Sequence, residues 1–204
     1  MATGIDGRQA LIEAAIDAIA AHGTARTHPK NLTESLGLSK SLVNFNFEGR
    51  DGLLAEAVTT ALERQVEGLR LAAGAAGADP MARLLTWADA FLTWSAANPG
   101  LAAATAFPAS CTETDILADG VATRLTTATV ARWDMLCALV RNARDVVGDE
   151  SVGGLEDHTG LDGDSDRMIW WLLQGAAVSV ANRPDHLDGI RAAVRARVLM
   201  LVAT

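Results

Sequence analysis

Residues 27–54 read THPKNLTESLGLSKSLVNFNFEGRDGLL, and this segment is more informative than any other part of the 204-residue chain. Two short amphipathic pieces, Pro29–Leu36 and Lys40–Phe45, are separated by Gly37-Leu38-Ser39. A three-residue turn that contains glycine between two short helices is typical of a helix-turn-helix. Gly37 suits the C′ position that ends the first helix, because glycine adopts the left-handed conformation without strain.

The flanking residues predict how the two helices begin and pack. Thr27 offers a hydroxyl N-cap with Pro29 in the first turn, and Ser39 offers an N-cap to the second helix. The apolar side chains expected to pack inward and fix the crossing are those of Leu32, Leu36, Leu38, Leu42 and Val43. The second helix then presents Lys40, Ser41 and Asn44 outward. Asparagine pairs with adenine and lysine donates to guanine or phosphate, so this face is predicted to read DNA.

Three pieces of the sequence, taken in order, resemble the TetR family of transcriptional regulators. Residues 8–23 are similar to the first helix of that family, and residues 32–39 to its Ile-Ala-x-x-Ala-Gly-Val-Ser turn. Residues 43–54 resemble its Asn-Tyr-His-Phe-x-x-Lys-x-x-Leu-Leu signature. The match covers about residues 8–55, a quarter of the chain. The resemblance implies a dimeric, ligand-responsive regulator, usually a repressor that leaves a palindromic operator when an effector binds.

The sequence departs from the family pattern at four positions. Phe45 replaces the usual tyrosine, so it keeps a ring for packing and lacks a hydroxyl for phosphate. Asn46 replaces a histidine, Thr33 an alanine, and Arg50 a lysine, although arginine still binds phosphate. The residues predicted to contact DNA are Thr27, His28, Lys30, Ser39, Lys40, Ser41, Asn44, Phe45, Asn46 and Arg50.

Charge is unevenly distributed along the chain. The net charge is −8, of which residues 1–60 contribute −2 and residues 61–204 contribute −6. Within residues 22–50 four basic residues outnumber two acidic ones, and this window holds both lysines of the chain. An acidic body that repels a duplex can leave one face attractive to it. Few phosphate contacts would still mean weak binding with a shallow salt dependence.

Apolar residues recur at helical spacing through the whole chain, as in the set Ile12, Ala15, Ile16 and Ile19. We therefore predict an all-α fold of about nine helices. Residues 1–50 are assigned to a three-helix helix-turn-helix DNA-binding domain, and residues 51–204 to a helical ligand-binding and dimerisation domain that begins with a connecting helix over 51–73. Residues 148–166 hold five glycines and seven acidic residues, which predicts a solvated loop.

All five tryptophans lie outside the N-terminal domain. Helical bundles place ligand sites between helices, and such sites are mostly apolar with a few polar groups. We expect an effector cavity for a small apolar or aromatic molecule. Its predicted lining is Trp87, Phe91, Trp94, Thr105, Phe107, Cys111, Trp133, Trp170 and Gln174.

The last two helices are expected to form a homodimer interface. Residues 174–177 bring small side chains onto a helix otherwise rich in Trp and Leu, and the final helix has one apolar stripe. That stripe comprises Ile190, Val194, Val198 and Leu201. By resemblance, the two helices pair with their copies on a two-fold axis, which suits a palindromic operator with half-sites about 34–36 Å apart.

Other classes of protein are less consistent with the sequence. We find no catalytic or phosphate-binding motif, so we expect neither an enzyme nor a cofactor or metal site. No apolar run reaches the roughly 18 residues of a membrane span, and a cytoplasmic protein is expected. Two alternatives stay open: a thiol-based regulator that uses Cys111 and Cys137, and a helical ligand-binding or interaction protein with weakened DNA binding.

Overall fold

The computed structural model describes residues 4–106, 119–150 and 164–203 of the chain. These residues form nine α-helices and two short 3-10 turns, with no strand among them, so the predicted all-α fold is confirmed. The helices are α1 (Gly4–His22), α2 (Pro29–Ser35), α3 (Ser41–Phe47), α4 (Arg50–Ala75), α5 (Pro80–Ala97), α6 (Pro99–Ala106), α7 (Asp119–Glu150), α8 (Asp164–Asn182) and α9 (Leu187–Val202). No helix in these three ranges is long and apolar enough to cross a membrane.

The chain divides into two compact units. Unit 1 comprises the described residues of Met1–Arg64 and Asn98–Thr129, and unit 2 those of Gln65–Ala97 and Val130–Thr204. Helices α4 and α7 therefore each contribute residues to both units. The predicted division into folding domains at residue 50 stays a prediction, because compactness in the folded chain does not measure independent folding.

Unit 1 is built around α1, which packs against α2, α3 and α6. Of its predicted apolar stripe, Ile12, Ala15 and Ile19 are buried and Ile16 is half-buried. Helix α6 approaches α1 so closely that a Cβ on Gly100 would lie 1.8 Å from the carbonyl oxygen of Ile19. Only glycine fits this contact, which holds α6 on the end of α1.

Unit 2 has its core where α5, α8 and α9 pack together. Helix α5 contributes Leu84, Trp87 and Phe91, and α7 contributes Leu136 and Val140 to the same cluster. Helix α8 and helix α9 complete it with Ile169, Leu173, Val194 and Val198. The loop predicted over residues 148–166 is shorter than expected, since α7 runs to Glu150 and α8 begins at Asp164. Its remaining residues, 151–163, lie outside the described part of the chain.

Candidate functional site

The turn between α2 and α3 has the predicted geometry. Gly37 adopts a φ of 65°. The Leu38 N–H donates to the carbonyl oxygen of Thr33 at 2.8 Å, and the Gly37 N–H donates to that of Glu34 at 3.3 Å. This pair of bonds satisfies two carbonyls at the end of α2 and turns the chain directly into α3.

The structure places other residues at the N-caps of α2 and α3 than the sequence predicted. The N-cap of α2 is His28, with no side-chain bond. Thr27 is instead 2% exposed and its hydroxyl donates to the carbonyl oxygen of Gly23 at 2.9 Å. The N-cap of α3 is Lys40, while the Ser39 hydroxyl accepts the Ser41 N–H at 3.3 Å. The prediction for Thr27 is wrong because α2 begins at Pro29, so the N-cap position falls on His28, one residue later.

The inward packing of this segment is largely as predicted. Leu32 and Val43 are buried, and Leu38 and Leu42 are half-buried. Leu36 departs from the prediction with 38% of its surface exposed. It occupies the C-cap of α2, where the chain reverses and the side chain leaves the buried face.

Seven of the ten residues predicted to contact DNA are exposed together on the α2–α3 segment. They are His28, Lys30, Ser39, Lys40, Ser41, Asn44 and Phe45, and we call this set the α3 surface. It carries hydrogen-bond donors and acceptors, two lysine cations, one imidazole and one phenyl ring. Lys40 also lies 3.7 Å from the Glu34 carboxylate, an exposed pair that solvent screens.

Phe45 is the most exposed of the large apolar residues described, at 86%. The sequence predicted that its ring would pack, and this is wrong because α3 buries Val43 and Phe47 instead. An exposed phenylalanine on a helix that is otherwise polar on that face has a chemical use, since it can contact the methyl group of thymine.

Two predicted DNA contacts are engaged within the protein. Arg50 donates from Nε to the carbonyl oxygen of Thr27 at 3.2 Å and from Nη2 to that of Thr24 at 2.6 Å. Asn46 donates to the carbonyl oxygen of Leu42 at 2.9 Å. Arg50 thus ties the start of α4 to the chain before α2, which is a bracing role that its position in the family signature did not predict.

A cleft of about 460 Å³ lies in unit 1 beside this segment, and the sequence did not predict it. It is lined by Arg8, Asn46, Phe47, Glu48, Arg50, Asp51, Gly52, Ala55, Glu56 and Val121. Glu56 accepts an ion pair from Arg8 at 3.3 Å and another from Arg124 at 2.6 Å. Because acidic and basic groups are mixed in the lining, the cleft favours neither sign of ligand charge.

The predicted effector site corresponds to a chain of four aromatic rings in unit 2. Trp87 stacks on Phe91 with centroids 5.6 Å apart, and Phe91 meets Trp170 at 6.4 Å. Trp170 makes an edge contact with Trp133 at 5.8 Å. The Trp87 indole N–H points to the sulfur of Met135 at 3.1 Å. The sequence therefore identified four rings that the fold brings together.

The other five residues predicted to line the effector site are not all brought to these rings. Gln174 is 3% exposed and lies one helical turn from Trp170 on α8. Trp94 is half-buried on α5. Thr105 belongs to unit 1, where its hydroxyl donates to the carbonyl oxygen of Leu101 at 2.9 Å. Phe107 and Cys111 lie outside the described residues.

Sequence reasoning missed two buried polar residues beside these rings. Arg132 is 1% exposed and Gln65 is 2% exposed, and Nη1 of Arg132 donates to Oε1 of Gln65 at 2.9 Å. The Arg132 guanidinium carbon lies 5.1 Å from the centroid of Trp170 and 5.9 Å from that of Phe91. A signal was available, because Arg132 falls on the apolar stripe of its helix between Ala128 and Leu136.

Cys137, one of the two cysteines of the thiol-sensor alternative, is half-buried in unit 2. Burial, with Asp166 nearby, raises the pKa of its thiol to about 11. At neutral pH only about one molecule in 10⁴ would carry the reactive thiolate. This environment disfavours a redox role for Cys137.

The apolar stripe predicted to form the dimer interface on α9 faces the interior of the protein. Val194 and Val198 are buried in the core of unit 2, and Ile190 and Leu201 pack against it. A different face is exposed. The large apolar residues exposed on α8 and α9 are Met168, Trp171, Val178, Leu199 and Met200. With the small exposed residues Gly175 and Ala196 they define what we call the α8–α9 face.

Comparison with known proteins gives a clear result for the fold. No protein-family model matches the chain, and no curated protein sequence does. Among solved structures, the chain matches a protein from Pseudomonas aeruginosa PAO1 assigned as a transcriptional regulator, with a TM-score of 0.70, 18% identity, and coverage of 99% of this chain and 93% of that one.

Two further structures carry the same fold. The fatty acid degradation regulator FadR from Bacillus halodurans matches with a TM-score of 0.65 and 17% identity, covering 95% of this chain and 97% of its own. FadR from Bacillus subtilis, solved in complex with stearoyl-CoA, matches with a TM-score of 0.66 and 14% identity, covering 96% and 97%. Other matching structures are described as TetR-family regulators. The chain thus has the fold that these regulators share.

Proposed function

We propose that this chain, which has the fold of TetR-family transcriptional regulators, is a ligand-responsive DNA-binding repressor without catalytic activity. The observation that supports this most directly is the α3 surface. A short helix is fixed from behind by Val43 and Phe47 and projects Ser41, Asn44 and Phe45 into solvent. A helix held in this way can enter the major groove, where its side chains reach base edges.

The chemistry of the α3 surface fits a duplex. Asn44 can bond bidentately to adenine, and Phe45 can contact a thymine methyl group. Lys30 and Lys40 can neutralise phosphates, and the salt dependence of binding reports how many they neutralise. Because Arg50 and Asn46 are engaged within the protein, we expect a smaller set of phosphate contacts than the sequence predicted.

We further propose a homodimer that forms through the α8–α9 face. Exposed Met168, Trp171 and Val178 follow one line along α8, and Leu199 and Met200 lie exposed on α9. Exposed large apolar side chains grouped on neighbouring helices in this way mark an interaction surface. A two-fold pairing of identical faces suits a palindromic operator with half-sites about 34–36 Å apart.

The dimer can be tested with a pair of matched substitutions. Val178 on α8 and Val146 on α7 are both 47% exposed, so they differ in location and not in accessibility. We expect Val178→Arg to shift the protein to monomers in sedimentation velocity and Val146→Arg to leave the dimer intact. A monomeric parent protein, or equal effects of the two substitutions, would contradict the interface.

Regulation is proposed to work by population shift. An effector that binds unit 2 more tightly in one arrangement of the two N-terminal DNA-binding domains of the dimer favours that arrangement. Only this difference in affinity can change DNA binding. A coupling of about 1–3 kcal/mol would change operator affinity roughly 5- to 150-fold. Stearoyl-CoA, present in the Bacillus subtilis FadR structure, is one compound to titrate.

The decisive experiment is a binding selection from random duplexes, followed by affinity measurements on the selected sequence. We expect a palindromic sequence, and a loss of affinity with Lys40→Ala or Asn44→Ala. Arg70→Ala is the control, since Arg70 is an exposed arginine on α4 that is paired with Glu67. If no sequence is enriched, the alternative of a helical interaction protein without DNA binding is favoured.

A further inference from the structure

The core of unit 2 contains four buried polar side chains. One of them, Ser95, bonds to the carbonyl oxygen of Phe91 on its own helix, and the other three come from three further helices. Arg132 on α7, Gln65 on α4 and Gln174 on α8 are all 3% exposed or less. The bond from Arg132 to Oε1 of Gln65 fixes the orientation of that carboxamide, because arginine can only donate. The other end of Gln65 is therefore its NH2 group, a donor.

The donors of the two glutamines are not satisfied by the protein. Nε2 of Gln65 and Nε2 of Gln174 are buried and have no hydrogen-bond partner within the ranges that the structure describes. Buried donors are almost always paired in folded proteins, so two such groups in one core require an explanation. An acceptor from a bound molecule would provide one.

The charge in this core has the sign that such an acceptor requires. Burial lowers the pKa of Arg132 to about 10, so the guanidinium remains protonated at neutral pH. In this structure the faces of Trp170 and Phe91 lie against it at 5.1 and 5.9 Å. Aromatic faces stabilise a cation only weakly compared with a carboxylate that forms two hydrogen bonds.

The remaining surroundings are apolar and aromatic. Gln174 lies four residues after Trp170, on the same face of α8. The rings of Trp87, Phe91, Trp133 and Trp170 form a continuous series beside the guanidinium. A molecule that matches this site has one end that only accepts hydrogen bonds and a body that is apolar.

We propose that unit 2 binds an organic monocarboxylate with an apolar body, whose carboxylate pairs with Arg132 and accepts hydrogen bonds from Gln65 and Gln174. A single guanidinium balances one negative charge, which favours a carboxylate over a dianionic phosphate ester. That this molecule regulates DNA binding rests on the proposed function, whereas the binding site itself does not.

The first test uses the purified full chain and two matched pairs of compounds. Decanoate is compared with 1-decanol, and 4-phenylbutyrate with 4-phenyl-1-butanol, by isothermal titration calorimetry. We expect each carboxylate to bind about 10- to 100-fold more tightly than its alcohol, the range for hydrogen bonds to a charged group. The two pairs distinguish a linear from an aromatic body. Equal affinities of acid and alcohol in both pairs would overturn the proposal.

The second test removes the charge. Arg132→Met should abolish the preference for the acid while leaving the affinity for the alcohol nearly unchanged. Arg141→Met is the control, because Arg141 is an exposed arginine on the same helix. If Arg132→Met does not fold, Gln174→Leu should still reduce the preference several-fold. A preference that survives both substitutions would also overturn the proposal.

The regulatory consequence is measured separately with the selected operator. If the carboxylate binds and lowers operator affinity in the parent protein but not in Arg132→Met, both proposals are supported. If it binds with unchanged operator affinity, the site is supported and ligand-controlled repression is overturned. If operator binding is normal and acid and alcohol bind equally, the carboxylate site is overturned and DNA binding is not affected.

Discussion

Phe45 and Phe47 lie two residues apart on α3, yet Phe45 is 86% exposed and Phe47 is 6% exposed. Arg8 lies over the Phe47 ring, 5.2 Å from its centroid. The same helix thus uses one phenylalanine to hold itself in unit 1 and offers the other to solvent. Because the two residues are chemically identical and differ in burial, their substitution tests folding and DNA binding separately.

Phe45→Ala should reduce operator affinity without changing the free energy of unfolding, because its ring contacts little of the protein. Phe47→Ala should lower the free energy of unfolding by about 3–5 kcal/mol, the cost of truncating a buried phenylalanine. Urea denaturation and operator titration on both variants check this. A clear loss of stability in Phe45→Ala would show that its ring packs in solution.

Arg50 is expected to act on stability more than on the salt dependence of DNA binding. Substitution by Met removes its bonds to the carbonyl oxygens of Thr24 and Thr27, which should cost about 1–3 kcal/mol. Lys30→Ala, which removes an exposed cation from each protomer, should instead reduce the slope of log affinity against log salt by about 0.9 per protomer, or about 1.8 for the dimer. If Arg50→Met also reduced this slope, Arg50 would contact a phosphate, as the sequence predicted.

Gly52 and Gly68 on α4 provide a matched pair of glycine substitutions. A Cβ on Gly52 would lie 1.8 Å from the carbonyl oxygen of Phe47, whereas a Cβ on Gly68 would meet nothing within 4 Å. Gly52→Ala should therefore destabilise unit 1 by several kcal/mol, through displacement of backbone. Gly68→Ala should stabilise the helix by up to about 1 kcal/mol. Similar midpoints of thermal unfolding for the two variants would contradict this contact.

The ion pair of Glu63 with Arg124 predicts a pH dependence. Arg124 donates to both oxygens of Glu63 at 2.6 and 2.8 Å, and these bonds lower the pKa of the Glu63 carboxyl. Because the folded pKa is below the unfolded one, the stabilisation is complete above about pH 5 and is lost as the pH falls through the folded value.

Glu63→Gln should accordingly be less stable than the parent at pH 7, by up to about 1 kcal/mol since the pair is partly exposed. The difference should shrink as the pH falls through the lowered pKa of Glu63 and the parent carboxyl becomes protonated. Glu67→Gln is the control, because Glu67 pairs with Arg70 on a solvated face and its removal should change stability little. Urea denaturation at several pH values measures both, and a difference that does not shrink with falling pH would refute the assignment.

Arg132→Met should be tolerated better than most substitutions of a buried charge. Desolvation lowers the pKa of Arg132 to about 10, which corresponds to roughly 3 kcal/mol of penalty at neutral pH. Relief of this penalty should offset the loss of the bond to Gln65 and of the ring contacts. A loss of 3–5 kcal/mol at pH 7 would contradict this prediction.

The local geometry of the helix-turn-helix could be predicted because it depends on residues close together in the chain. Gly37 ends α2 with a positive φ, and the spacing of Leu32 and Val43 places both inside. The predictions failed for Thr27, Leu36 and Phe45. At these positions a shift of one residue in where a helix ends, or of one turn along it, decides whether a side chain lies in the core or in solvent. The role of Arg50 depends on Thr24, 26 residues away.

The sequence by itself determined the helices, the α2–α3 turn and the identity of the aromatic residues that meet in unit 2, since periodicity and glycine placement act over a few residues. Tertiary structure alone decided that Val194 and Val198 face the core, that Phe45 faces solvent, and that Arg132 is enclosed by rings from two other helices. The physical reason is that burial is a property of what packs against a helix face, and those neighbours come from distant parts of the chain.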